Sequence, residues 1–139
     1  MKLLDTNIVL YAAGRSHRYK GPCSELLERV VAGDVDCSVD AELFQEILYV
    51  YTARGERRRG FQIFDDLCQI FSTPFAITRE EIMVARELLE RYPALSPRDA
   101  IHAAVVITQE LEGIVTTDSA FASIQELTAF DPIEIISQT

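Results

Sequence analysis

Residues 2–7 read Lys2-Leu3-Leu4-Asp5-Thr6-Asn7, and this short stretch sets a pattern that later parts of the chain repeat. An apolar run ends at an acid, and a helical segment over residues 8–13 follows and stops at Gly14. At residues 114–118 an apolar run again leads to an acid. Short strands that alternate with helices predict an α/β fold with a short, mainly parallel sheet flanked by helices.

Spacing and capping signals predict the remaining elements. Apolar residues recur at helical spacing over residues 19–32, 40–54 and 60–71, and Asp40 can cap the second of these helices. Thr78 with Glu81 forms a capping-box signature, and Ser96-Pro97-Arg98-Asp99 opens a helix that is apolar nearly all round and is therefore expected in the interior. Further strands are expected at residues 35–39, 75–77, 114–116 and 133–136. The 139 residues are predicted to form one domain, 1–139.

Charge is distributed unevenly along the chain. The net charge of −9 argues against nonspecific nucleic-acid binding. No Lys or Arg follows Arg98, whereas positive charge is densest at residues 15–20 and 54–59. An acidic region and two basic segments indicate cation binding in one place and phosphate contacts in another. A solvated surface of mixed sign would explain the basic segments equally well.

Cysteine usage and hydropathy bear on the compartment. The chain has three widely spaced cysteines, and no apolar run approaches the roughly 20 residues that span a bilayer. Scattered cysteines without a metal-binding spacing fit a reducing environment. We therefore expect a cytoplasmic protein with buried or half-buried thiols and no membrane partner.

Four acids suggest a metal site. Asp5 and Asp118 follow predicted strands, Asp99 lies in the first turn of the interior helix, and Glu46 lies in the helix after the second strand. Ligands bind at the carboxyl ends of parallel strands, and clustered acids need hydrogen bonds, raised pKa values or a cation. Carboxylates are the ligands that Mg²⁺ prefers, and two such ions can stabilise both oxygens of a phosphodiester displacement.

Each acid also has a plainer interpretation. Asp5, Asp99 and Asp118 all stand where a carboxylate caps a helix or turn. Glu46 could face solvent, as most helical glutamates do. The four together make the stronger case.

Four motifs in order resemble the PIN-domain ribonucleases, and the length resembles the VapC-type toxins of toxin–antitoxin pairs. The motifs are Leu3-Leu4-Asp5-Thr6-Asn7-Ile8-Val9-Leu10-Tyr11, Gln45-Glu46-Ile47-Leu48-Tyr49, Arg98-Asp99-Ala100-Ile101-His102-Ala103-Ala104 and Val115-Thr116-Thr117-Asp118-Ser119-Ala120-Phe121. The resemblance covers residues 3 to about 136 and implies a single PIN-like domain.

The resemblance implies a mechanism and roles for named residues. Asp5, Glu46, Asp99 and Asp118 would bind one or two Mg²⁺ or Mn²⁺ ions, and a metal-activated water would cleave RNA to leave a 5′-phosphate and a 3′-hydroxyl. Thr116 and Asn7 match polar positions that support the site. His102 is kept outside this set, because a histidine on an apolar helix is more often a hydrogen-bonded core residue.

The resemblance also implies partners. An antitoxin would lay a helix into an apolar groove, for which the helices at 40–54 and 60–71 offer Tyr49, Tyr51, Phe61 and Phe64; these aromatic residues could equally be core. Homodimerisation is implied too. For contacts with RNA we select Arg15, Arg18 and Lys20 first, and Arg57–Arg59 second.

Other functions compete with the ribonuclease. A phospho-acceptor domain and a haloacid-dehalogenase-type phosphatase both need a late Lys, and no Lys follows Lys20. A PIN-like binding module without useful catalysis remains open, although all four acids are present. A free-standing RNA-processing nuclease with no antitoxin is a third possibility.

Overall fold

The computed structural model describes residues 1–138, so that Thr139, the last residue of the predicted domain, lies outside them. The described residues form four short strands, seven α-helices and one 3₁₀ turn, Ser119–Ser123. In chain order the strands and helices are β1 (Lys2–Leu4), α1 (Thr6–Ala13), α2 (Lys20–Val31), β2 (Cys37–Ser38), α3 (Ala41–Ala53), α4 (Arg57–Ile70), α5 (Arg79–Arg91), α6 (Pro97–Thr108), β3 (Ile114–Val115), β4 (Ala129–Phe130) and α7 (Pro132–Ser137).

The strands form one sheet in the order β2-β1-β3-β4, and every pairing is parallel. This confirms the predicted parallel α/β fold. From β1 the chain moves to β2 on one side and returns later to β3 on the other side, with Leu4 opposite Val115. The order therefore reverses between β1 and β3, where ligand sites of parallel sheets are found.

The sheet separates two hydrophobic clusters. Leu4 packs with Ile8 and Leu43 on one face, whereas Leu3 packs with Leu88 and Ala103 on the other. Neighbouring residues of a strand point to opposite faces, so the two adjacent leucines of β1 serve both clusters. Helices α1–α4 and α7 cover the first face, and α5 and α6 cover the second.

The capping signals predicted for three helix starts are confirmed. Asp40 accepts the backbone N–H of Leu43 at the start of α3. Thr78 and Glu81 form both bonds of a capping box, and Ser96 accepts the N–H of Asp99 with Pro97 in the first position of α6. Helix α6 is buried along most of its length, as its apolar composition predicts.

Three sequence expectations were wrong. Residues 133–136, expected to form a strand, lie in α7, which Asp131 caps and Pro132 begins; these are the usual start signals of a helix. The last strand is instead Ala129–Phe130. The expected strand at 75–77 is reduced to one bridge between Asp40 and Phe75. Cys68 is exposed rather than buried. Within residues 1–138, no helix is long and apolar enough to cross a membrane.

Candidate active site

Asp5 stands at the point where β1 ends and α1 begins. Its backbone N–H donates to the carbonyl of Val115, which fixes it beside the end of β3. One carboxylate oxygen accepts the N–H of Thr6 at 2.7 Å and caps α1, while the other accepts the hydroxyl of Thr116 at 2.7 Å. The residue is only 4% exposed. Asp5 therefore caps α1, as its plainer interpretation predicted, and is also buried beside other acids.

Thr116 joins Asp5 to two further polar residues. Its hydroxyl oxygen accepts the side-chain N–H of Asn7 at 3.3 Å and the backbone N–H of Asp118 at 2.9 Å. Asp118 is exposed, and its carboxylate caps the 3₁₀ turn through Ala120. The side-chain oxygen of Asn7 is buried and has no hydrogen-bond partner among the described residues. Thr116 therefore holds both strand-end acids in place.

Glu46 contacts a histidine rather than solvent. Its carboxylate lies 2.9 Å from Nε2 of His102, which is also 3.1 Å from the hydroxyl of Thr6 and 3.8 Å from Asp5. On the other edge of the ring, Nδ1 lies 2.7 Å from Asp40. His102 and Asp40 have no exposed surface. A buried imidazole thus connects α6, α1 and α3 at the acidic cluster.

The cluster changes the ionisation of its members. Burial raises the pKa of Asp5 to about 6; His102 and the Thr116 hydroxyl oppose this, while Asp99 and Glu46 add to it. Burial and the neighbouring Asp118 raise the pKa of Asp99. Although burial disfavours a charged imidazole, Asp40, Glu46 and Asp5 raise the pKa of His102 well above its ordinary value. The site therefore concentrates negative charge and favours a cation.

The four acids selected from the sequence come from four different segments of the chain and interact electrostatically in pairs. Asp99 and Glu46 both raise the pKa of Asp5. Asp118 in turn raises the pKa of Asp99. Asp40 was missed as a member of this cluster, and His102 was set aside as a core residue. In the sequence, Asp40 is recognisable only as a helix cap, and His102 only as a residue one helical turn after Asp99. Both patterns are common in proteins without such a site.

The donor set suits a hard divalent cation. Carboxylates and an unpartnered amide oxygen are oxygen ligands of the kind that Mg²⁺ and Mn²⁺ take. Among the described residues, no three His, Cys, Asp or Glu side chains are placed so that they could hold an ion as they stand. The hydrogen bond of Glu46 to His102 occupies one of the carboxylates concerned. Binding would therefore need side-chain rotation within an existing cluster.

The basic residues selected for RNA contacts lie after α1. Lys20 donates to the carbonyl of Gly14, and Arg18 donates to the hydroxyl of Tyr19 and stacks over its ring. Arg15 is exposed and lines a cavity bounded by α1, α3 and α4.

Comparison with known proteins identifies relatives over most of the chain. The PIN domain family model matches residues 2–127. The VapC ribonuclease Mb1869c of Mycobacterium bovis is 35% identical over 123 residues, which cover 88% of this chain and 94% of that protein. Ribonuclease VapC23 of Mycobacterium tuberculosis is 30% identical over 123 residues, which cover 88% of this chain and 97% of that protein.

Solved structures share the fold at low sequence identity. The VapBC2 complex of Rickettsia felis, bound to a promoter DNA fragment, contains a chain that superposes with a TM-score of 0.73 at 17% identity, covering 94% of this chain and 97% of that one. A chain of FitAcB from Neisseria gonorrhoeae superposes with a TM-score of 0.73 at 14% identity, covering 96% of this chain and 99% of that one.

Proposed function

The chain belongs to the PIN-domain family, and from that premise we propose that it is a divalent-metal-dependent endoribonuclease, the toxin of a toxin–antitoxin pair. The observation that carries the proposal is the acidic cluster at the ends of β1 and β3, in a chain whose relatives at 30–35% identity are named VapC ribonucleases. The proposed domain spans residues 1–139, of which the family model matches 2–127.

We assign the metal to the four acids. Asp5, Glu46, Asp99 and Asp118 would hold one or two Mg²⁺ or Mn²⁺ ions. A divalent cation bound there supplies positive charge that polarises a phosphodiester and lowers the pKa of an attacking water. Burial raises the pKa of Asp5, with Asp99 and Glu46 adding to it, and a bound cation would favour the ionised form of these carboxylates.

The chain's own residues orient the acids. Thr116 donates its hydroxyl to Asp5 and receives the side-chain N–H of Asn7, so that the carboxylate keeps one direction. His102 contacts Glu46 from the interior and is itself held by Asp40. Groups behind a metal site commonly set the direction of its ligands in this way.

An antitoxin would bind at the cleft between α3 and α4. Phe44, Phe64 and Phe71 line an apolar depression of about 250 Å³, and the rings of Phe44 and Phe64 meet edge to face. Tyr49 and Phe61 are each 52% exposed, whereas Tyr51 is buried in the core and cannot offer its ring to a partner's helix there.

We also propose a homodimer and a cytoplasmic location, in line with the resemblance.

Cleavage of a cellular RNA pool tests the ribonuclease. Purified protein, freed of any partner, should yield fragments in Mg²⁺ or Mn²⁺, and these should disappear with EDTA and with Asp5→Asn. Asp65→Asn, which removes an exposed carboxylate of α4, is the matched control and should cleave normally. No cleavage by folded protein with either metal would favour the binding module. Cleavage that survives Asp5→Asn would mean that the site is misplaced.

A further inference from the structure

The two basic segments of the chain meet at one cavity. Its volume is about 730 Å³, and Arg15 from the first segment lines it together with Arg54 and Arg59 from the second. Arg59 donates to the carbonyl of Ala13, which ties the start of α4 to the end of α1. The sequence offered these segments as alternatives, but the fold makes them a single positively charged wall.

The basic residues of the two segments form no ion pairs within residues 1–138, although one acid, Glu56, also lines the cavity. Seven of the chain's 13 basic residues belong to the two segments: Arg15, Arg18, Lys20, Arg54, Arg57, Arg58 and Arg59. Within residues 1–138 none of the seven forms an ion pair, whereas Lys2, Arg29, Arg86 and Arg91 all do. In a chain with 22 acids, this separation leaves local positive charge available to an anion.

The rings of Tyr11 and His17 line the same cavity. Tyr11 and His17 stack with ring centroids 4.6 Å apart, and Tyr19 packs against both rings. The ring cluster of Tyr11, His17 and Tyr19 therefore adds a π-surface to the arginine wall. Arginines beside exposed rings are the usual means of binding single-stranded nucleic acid, because arginines bind phosphates and rings stack with unpaired bases.

The cavity runs along one face of α1 toward the acidic site, although none of the four acids lines it. Asn7, Leu10, Tyr11 and Gly14 line it at helical spacing, and Asn7 donates to Thr116 beside Asp5. Since a helix rises about 1.5 Å per residue, the far end of α1 at Ala13 lies roughly 12 Å along the helix axis from Asp5. A strand of a few nucleotides can span that distance at about 3.4 Å per stacked base.

We propose that the cavity between α1, α3 and α4 binds the single-stranded RNA next to the bond that is cleaved, with arginines on its phosphates and the ring cluster on a base. This inference rests on the proposed ribonuclease function and names where its substrate lies. An unpaired strand is specified, because a base within a duplex cannot present its face to Tyr11 or His17.

Binding and cleavage are measured separately to test the site. A fluorescent ten-residue oligoribonucleotide of mixed sequence is titrated into Asp5→Asn protein, which should not cut it, and anisotropy is followed at several salt concentrations. Adding Arg15→Ala or Arg59→Ala should weaken binding about three- to tenfold and reduce the salt slope by about 0.7 for each phosphate that the variant no longer neutralises. Arg79→Ala removes an exposed arginine of α5 that has no ion pair among the described residues, and should change nothing.

The ring cluster has its own pair of variants. His17→Ala should weaken binding about fivefold or more, and His17→Phe should restore it, because stacking needs a ring and not an imidazole. A duplex of the same sequence should bind more weakly than the single strand. Circular dichroism of each variant verifies that the fold is intact.

The outcomes separate this inference from the ribonuclease itself. If wild-type protein cleaves RNA while all arginine variants bind like Arg79→Ala, the cavity proposal is overturned and the ribonuclease stands. If the arginine variants keep RNA affinity but no longer co-purify with a co-expressed protein partner, the cavity is a protein interface and the proposal is again overturned. If wild-type protein neither binds nor cleaves RNA, both proposals fail.

Discussion

The Oδ2 atom of Asp40 lies 2.7 Å from Nδ1 of His102, and both side chains are fully buried. The other oxygen of Asp40 accepts the N–H of Leu43 at 3.0 Å and caps α3. On the opposite edge of the ring, Nε2 faces the carboxylate of Glu46 at 2.9 Å. One carboxylate therefore fixes both the start of the helix that carries Glu46 and the ring that binds Glu46.

Replacing His102 should destabilise the protein strongly. His102→Gln is expected to lower the free energy of unfolding by about 3–5 kcal/mol, because the buried carboxylate of Asp40 loses its cationic partner. Urea denaturation in EDTA measures the change. Glu87→Gln, at an exposed glutamate of α5, should stay within about 0.5 kcal/mol of wild type. Equal midpoints for the two variants would contradict a structural role for the Asp40–His102 pair.

Removing the charge of Asp5 should alter how stability depends on pH. The pKa of Asp5 is about 6 in the folded protein and 3.8 ordinarily, so the folded state binds the proton more tightly. The contribution of Asp5 is therefore most favourable below pH 4 and falls as pH rises to 6. At about 1.4 kcal/mol per pH unit the loss is about 3 kcal/mol.

Asp5→Asn should lack this loss, so that in EDTA its stability relative to wild type rises between pH 4 and pH 6. Urea denaturation at several pH values measures the difference. Asp65→Asn should follow wild type throughout the range. A difference between Asp5→Asn and wild type that stays constant with pH would show that the carboxylate is not destabilised by its surroundings.

The hydroxyl of Thr116 should matter for cleavage more than for substrate binding. Thr116→Val keeps the shape but removes the donor to Asp5 and the acceptor for Asn7 and Asp118. We expect kcat to fall about 10- to 100-fold with KM nearly unchanged, as for other groups that orient metal ligands. Thr116→Ser keeps the hydroxyl and should retain most of the activity. Equal loss in both variants would mean that packing of the methyl group, not the hydrogen bonds, is what matters.

Gly60 should be required where α4 crosses α3. A Cβ atom at this position would lie 2.7 Å from Cβ of Tyr51, too close for the two helices to keep their distance. Gly60→Ala is expected to lower the free energy of unfolding by about 1–3 kcal/mol, despite the better helix propensity of alanine.

Gly21→Ala in α2 is the matched control. A Cβ there has no atom within 4 Å, so propensity alone should stabilise the protein by about 0.5–1 kcal/mol. Thermal or urea denaturation should thus give opposite signs for the two glycines. The same sign would remove the argument for close helix packing at Gly60.

Local chemistry made much of the fold predictable. Capping at Asp40, Thr78 and Ser96 is a contact between residues within a few positions of each other, so the sequence alone contains the information. The same kind of signal was present at Asp131-Pro132, but the apolar residues after it suggested a strand. Such a short apolar run is ambiguous between helix and strand until its neighbours are known.

The sequence by itself determined the parallel α/β class and the choice of four candidate acids, because each depends on short motifs and on the periodicity of apolar residues. Only the tertiary structure decided that Asp40 and His102, 62 positions apart, lie between Glu46 and the core. It alone also joined residues 15–20 to residues 54–59 around one cavity. Both results depend on how helices from distant parts of the chain pack together. A local pattern of residues contains no information about which distant helices come into contact.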